Sequence, residues 1–199
     1  MIRNSDSAIL GQIRASIAVK ELLLESPDVL LQIQALARRC VESLRAGGKI
    51  IFAGNGGSFA DAQHLSAELT SRFQFDRAPL ASVALGTNNS ALSAIGNDYG
   101  FEKVFARELE AVAKPEDLFL AISTSGNSPN IVAAVDKAAS LGISVFGLTG
   151  LDGGALKGRC ECVCVPSTET ARIQECHILV GHIVCGLIES SLFSPEVIS

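Results

Sequence analysis

The spacing of apolar residues is helical at the start of the chain and then alternates between short apolar runs and helical stretches. Ile9, Ile13, Ile17 and then Leu22 to Leu24 recur at helical spacing, which predicts an amphipathic first helix. A second helix is predicted from Asp28 to Ala46, started by Pro27 and Asp28 and stopped by Gly47-Gly48. The period then shortens. "KIIFAG" (49–54), "ASVALG" (81–86), "DLFLAIS" (117–123), "ISVFGLT" (143–149) and "CVCVP" (162–166) are short apolar runs rich in β-branched residues. Each of the first four leads into a Gly, Ser, Thr or Asn cluster and then a helical stretch. Such alternation predicts an α/β fold with a parallel sheet covered on both faces. The last predicted helix runs from about Thr170 to Phe193. Its apolar residues wrap most of the way round, as in a helix buried in a large core or at a subunit interface.

Length and composition narrow the class. A chain of 199 residues suits one sizeable domain with one core. Apolar residues make up 48% and charged residues 19%, so deep burial is expected. A net charge of −5 and no basic run give no general attraction to nucleic acid or an anionic membrane. The N-terminus lacks the unbroken apolar core of a signal peptide. The longest apolar stretch, Ile173 to Phe193, is interrupted by Glu175, His177, His182 and Glu189, so a buried helix is expected there rather than a membrane span. Free thiols and a cytoplasmic location are expected for the six cysteines. Cys160, Cys162 and Cys164 alternate and should share one strand face. Small hydrophobes on a buried face are the favoured reading over a metal site, since structural zinc prefers a CxxC knuckle.

Two loops at strand ends carry candidate chemistry. In "GNGGS", Gly54 to Ser58, glycines let the backbone approach a ligand, and the following helix start offers free N–H groups. Phe59 stands where a dinucleotide fingerprint needs its third glycine, and no Gly-Lys-Ser/Thr follows as in a P-loop. In "STSGNSPN", Ser123 to Asn130, the hydroxyls of Ser123, Thr124, Ser125 and Ser128 surround Gly126 at a helix start. Hydroxyls and backbone amides there suit a phosphate monoester without any lysine. Two such loops in one sheet favour a small ligand at the carboxyl edge of the strands.

Polar residues on two helices supply a second signal. His64 and Glu68 are one turn apart on a helix that otherwise reads as packed. Gln174, Glu175, His177 and His182 interrupt the last helix. Gln174 and His182 are about two turns apart and roughly 80° around, so they bracket a site rather than line up. For His177 the favoured reading is a structural histidine satisfied by a neighbour. His64, Glu68, Gln174 and His182 together offer two imidazoles, a carboxylate and an amide oxygen, a set that zinc tolerates. The same residues also allow Glu68 as a general base with His182 as a general acid.

The segments "GNGGSFADAQHLSAEL", "GNDYGF", "ISTSGNSPNIV", "LTGLDGG" and "RIQECHILVGHIV", in this order, resemble the phosphoheptose isomerases of the sugar-isomerase (SIS) domain superfamily. The resemblance runs from about residue 30 to 193. It implies a single SIS domain over residues 1–199: a flavodoxin-like five-stranded parallel sheet flanked by helices, with an N-terminal helical extension of about residues 1–27. It implies a homotetramer that converts sedoheptulose 7-phosphate to D-glycero-D-manno-heptose 7-phosphate through a cis-enediol. The family's zinc ligands, one ion per subunit, match His64, Glu68, Gln174 and His182. Its substrate positions match Asn55, Gly56, Gly57, Ser58, Glu68, Asn97, Asp98, Ser123, Thr124, Ser125, Ser128 and Gln174. Its acid/base pair matches Glu68 and His182. Some members carry an Asp where this chain has Ala171, so an auxiliary role at that position is not carried over.

Two other functions fit the same fold. The replication-initiator-associating protein is a tetrameric, non-catalytic scaffold with a similar "ARIQE" stretch. Its relatives tend to lose glycines of the first loop and the acidic and histidine site residues, which this chain keeps in Gly56-Gly57, Glu68 and His182. Phosphosugar-sensing regulators add a DNA-binding domain, for which a core beginning near residue 30 leaves no room.

Overall fold

A computed structural model describes residues 3–193, with side chains from residue 6 onward, so the ends of the expected 1–199 domain lie outside the described residues. Two helices come first, α1 (Arg3–Leu24) and α2 (Pro27–Arg45). Pro27 opens α2 at a position where its missing N–H costs nothing. The remaining elements are β1 (Ile50–Gly54), α3 (Gly57–Thr70), β2 (Ser82–Ala84), α4 (Asn89–Tyr99), α5 (Val104–Val112), β3 (Leu118–Ile122), α6 (Pro129–Ser140), β4 (Ser144–Thr149), β5 (Glu161–Cys164) and α7 (Thr170–Phe193).

The five strands form one sheet in the order β2-β1-β3-β4-β5, and all its pairings are parallel. That is the flavodoxin-like order, with its switch point between β1 and β3. Every residue of β1 and β3 is buried, as expected for central strands covered on both faces. Alternation sorts them. Ile50, Phe52, Leu118 and Leu120 join the core under α2, α3 and α7. Ile51, Ala53, Phe119 and Ala121 join the core under α5 and α6.

The structure differs from the sequence pattern in two places. After β4 there is no α-helix, only one 3₁₀ turn at Gly154–Leu156. Residues 150–160 are too few for a helical crossover and contain Gly150, Gly153, Gly154 and Gly158. The apolar stripe of α1 is also not packed within the chain. Ile9, Ile13 and Ile17 are 56%, 52% and 49% exposed.

The last helix is long and apolar enough to cross a membrane by length and composition. Here it packs against α2 and α3. Each of its buried polar residues, Arg172, His177 and Glu189, makes at least one hydrogen bond, although Arg172 Nε and His177 Nδ1 have no partner among the described residues. His177 Nε2 lies 3.1 Å from the Thr149 carbonyl, which bears out the structural reading of this histidine. Burial lowers the His177 pKa to about 4, partly offset by that carbonyl, so its ring is neutral near pH 7.

Candidate active site

The first glycine loop lies at the end of β1, beside the switch point. Asn55 pairs with Asn130, at the start of α6, through two amide hydrogen bonds of 2.8 and 2.9 Å. This bridge ties the loop after β1 to the loop after β3. Asn130 is only 3% exposed. The sequence reading quoted it at the edge of the serine loop but gave it no role.

Gly57 opens α3 and lies against the side-chain amide of Gln174. A Cβ built at Gly57 would stand 2.6 Å from Gln174 Nε2 and 2.9 Å from Oε1. Only glycine leaves room for that contact. Ser58 is buried one residue further on, while Gly56 is exposed.

In the serine loop, the hydroxyls of Ser123 and Ser128 are 3.0 Å apart. Ser128 is the N-cap of α6, yet its hydroxyl makes no capping bond and is turned to Ser123 instead. Ser125 Oγ accepts from the Asn127 amide at 3.1 Å. Gly126 has a φ of 66°, and a Cβ there would strike the Gly153 carbonyl. The loop is stitched to the segment after β4. Gly150 N donates to Thr124 O at 2.9 Å, Leu156 N to Gly126 O at 3.2 Å, and Ala155 N to Asn127 Oδ1 at 2.8 Å. The helix start is thus held by neighbours, with Ser123 buried and Thr124, Ser125 and Ser128 at least partly exposed at its mouth.

The histidine cluster sits further along α3. Helices α3 and α7 lie side by side and run parallel: Gly57 meets Gln174, and Leu65 meets Gly181. This register brings His64 Nε2 within 2.9 Å of His182 Nε2 and 3.2 Å of Glu68 Oε1. One ligand atom from each of His64, Glu68 and His182 lies within 4.8 Å of the others. Phe73 stacks on His182 with ring centroids 5.5 Å apart and fixes its plane. Two imidazoles and a carboxylate at this spacing are a fitting donor set for zinc. The Gln174 amide makes its contact at Gly57, nearer the start of α3. The rise from Gly57, which Gln174 touches, to His64 is on the order of 10 Å along α3, measured between backbone positions.

Asp61 lies one turn before His64, and its Oδ2 is buried with no hydrogen-bond partner among the described residues. Burial raises its pKa, and the nearby His64 opposes that rise. The i, i+3 spacing from His64 is the sequence signal that could have singled it out.

Below the cluster, Arg77 and Glu189 clamp the two helices together. Glu189 accepts hydrogen bonds from Phe73 N and Gln74 N at 2.8 Å and from Arg77 Nε at 2.9 Å. Arg77 also donates to the carbonyls of Leu69, Ser71 and Glu68 at the end of α3.

Asn97 and Asp98 stand apart from these loops, on the exposed face of α4, where Asn97 Nδ2 donates to Asp98 Oδ1 at 2.8 Å. No residue of α4 is buried within the chain.

Comparison with known proteins places this arrangement. The SIS domain family matches residues 18–150. The phosphoheptose isomerase of Aneurinibacillus thermoaerophilus is 48% identical over 96% of this chain and 97% of its own length. That of Rhodospirillum rubrum is 55% identical over 76% of this chain and 81% of its own. The solved phosphoheptose isomerase of Neisseria gonorrhoeae superposes with a TM-score of 0.85 at 40% identity, covering 92% of this chain and 98% of that one. The Francisella tularensis structure gives 0.87 at 36% identity, over 94% of this chain and 98% of that one. With the sheet order, the serine loop and the His–Glu–His cluster in place, the chain belongs to the SIS-domain family and, within it, to the phosphoheptose isomerases, enzymes that isomerise a sugar phosphate.

Proposed function

We propose that the enzyme converts sedoheptulose 7-phosphate to D-glycero-D-manno-heptose 7-phosphate through a cis-enediol. One observation carries this reading: the glycine and serine loops, joined by Asn55 and Asn130, stand at one end of α3 and the His–Glu–His cluster stands further along it, which suits an open-chain heptose phosphate held at both ends. The cluster lies on the order of 10 Å along α3 from the glycine loop. Seven carbons and a terminal phosphate, joined by bonds of about 1.5 Å, also span on the order of 10 Å.

In this reading the phosphate rests on Ser123, Thr124, Ser125 and Ser128 at the start of α6. Asn55, Gly56, Gly57, Ser58 and the Gln174 amide hold the sugar hydroxyls, with Asn130 fixing Asn55. Glu68 removes the proton from the carbon next to the carbonyl and returns it to the neighbouring carbon. His182 moves a proton between the two oxygens. His64, Glu68 and His182 would hold zinc, which when bound supplies a Lewis acid toward the sugar oxygens. Gln174 would complete the set as a further ligand.

We assign the working form to a homotetramer in the cytoplasm, with each chain acting as one SIS domain and with neither nucleic acid nor membrane as a partner. The apolar stripe of α1 and a groove lined by Leu23, Leu24, Leu30, Ile33, Leu179 and Ile183 support association. The exposed Asn97 and Asp98 of α4 would then reach substrate across a subunit boundary.

The test is incubation with sedoheptulose 7-phosphate, with and without a chelator, and identification of the product. The proposal expects the aldoheptose 7-phosphate, with turnover depressed by the chelator and restored by zinc. Absence of conversion by zinc-loaded protein overturns it and favours the scaffold role.

A further inference from the structure

Three of the six cysteines fall on and beside β5, at the sheet edge, away from the helices that carry the His–Glu–His cluster. Cys160 ends the turn before β5 and is partly exposed, whereas Cys162 lies within the strand and is buried. Their sulfurs are 3.8 Å apart. Both stand over Gly147 of β4, which pairs with Cys162 in the sheet. A Cβ at Gly147 would meet Cys162 Sγ at 2.7 Å and Cys160 Sγ at 3.6 Å, so the glycine creates the space that the two sulfurs share.

Cys164 does not enter this pair. It lies opposite Thr149, whose hydroxyl donates to its sulfur at 3.3 Å.

We propose that Cys160 and Cys162 form a dithiol modification site, which hydrogen peroxide converts to an intramolecular disulfide. The partly exposed Cys160 reacts first. Its thiolate attacks one peroxide oxygen, the O–O bond breaks, and the departing hydroxide takes a proton to leave as water. The resulting Cys160 sulfenic acid is then attacked by the Cys162 sulfur. An S–S bond forms, the S–O bond breaks, and the hydroxyl leaves as a second water with the Cys162 proton. Each sulfur loses one electron and each peroxide oxygen gains one. The sulfurs must close by roughly 1.8 Å to reach disulfide length. Cys160 has the freedom to do so, because it precedes the strand and lies outside the sheet ladder. The two thiols also differ as the sequence of steps requires. The hydrogen bond from Cys162 draws the Cys160 pKa down despite burial, while the same contact and burial push Cys162 well up.

Trypsin should release Cys160 to Arg172 as one peptide holding all three thiols, since Arg159 precedes it. Reduced full-length protein is treated with hydrogen peroxide, alkylated, digested and examined by mass spectrometry. The expected peptide carries one alkyl group, on Cys164, and is two hydrogens lighter than the thiol form. Dithiothreitol before alkylation should restore three alkyl groups. Cys160→Ser and Cys162→Ser should each abolish the lighter peptide. Three outcomes overturn the proposal: full alkylation after peroxide, a sulfinic acid at Cys160 as the main product, or a lighter peptide persisting in Cys160→Ser, which would place the bond between Cys162 and Cys164.

Discussion

Replacing Glu189 by Gln tests what holds the two site helices in register. The Glu189 and Arg77 side chains are 0% and 1% exposed, so neither charge has water to fall back on. Glu189 accepts from two backbone N–H groups as well as from the guanidinium. An amide can accept with one oxygen only, and its NH₂ would face a donor. The variant therefore leaves a buried cation without its anion, at a cost of about 3–5 kcal/mol. For a chain of this size each kcal/mol is worth about 2–4 °C, so the Tm should fall by roughly 6–20 °C. Urea unfolding should report the same loss with an unchanged slope. The pH dependence gives a second reading. Burial raises the Glu189 pKa, but the Gln74 and Phe73 amides and Arg77 outweigh it, and the net shift is downward. A carboxyl lowered on folding contributes stability above its unfolded pKa and loses it as pH falls through the folded one. The gap between the parent protein and the variant should be widest above about pH 4.5 and close in stronger acid. A loss below about 1 kcal/mol at pH 7 would refute the clamp.

Three further outcomes follow from the site. Zinc at a hundredfold excess over its Kd should raise stability by about 2.7 kcal/mol, read as a Tm shift that a chelator reverses and His182→Ala removes; an unchanged Tm in the parent protein would count against the metal site. Ser123→Ala removes one hydroxyl of the Ser123–Ser128 pair and should raise KM for the sugar phosphate roughly 10- to 100-fold with little change in kcat, as for a lost hydrogen bond to a charged group. Gly57→Ala should displace the Gln174 amide and lower kcat/KM while the helical circular dichroism stays unchanged; full activity would show that Gln174 need not rest on Gly57.

Much of this architecture is legible in local pattern. The five strands fall within the apolar runs or within one residue of them, because parallel strands covered on both faces must be continuously apolar. Helix α7 occupies the predicted span. Their spatial order was not readable from periodicity, and came from the family resemblance alone. The two loops were visible through glycine and serine, the residues a phosphate site needs. What brings the site together is long-range. Asn55 and Asn130 are 75 residues apart, His64 and His182 are 118 apart, and Arg77 and Glu189 are 112 apart. Residues that far apart leave no periodic trace, so Arg77 and Asn130 were passed over. The polar face of α4 is similarly silent, since nothing within the chain buries it. The alternation of strand and helix predicts a helix after β4, but four glycines among residues 150–160 leave only a 3₁₀ turn.

The central claim is that Glu68 moves the proton, and the most direct measurement is the turnover of sedoheptulose 7-phosphate by Glu68→Gln beside the parent protein. The exchange keeps the side chain's shape and removes its basicity. The account predicts a fall in kcat of about 10²- to 10⁴-fold, with unchanged secondary structure. Turnover within tenfold of the parent would contradict it.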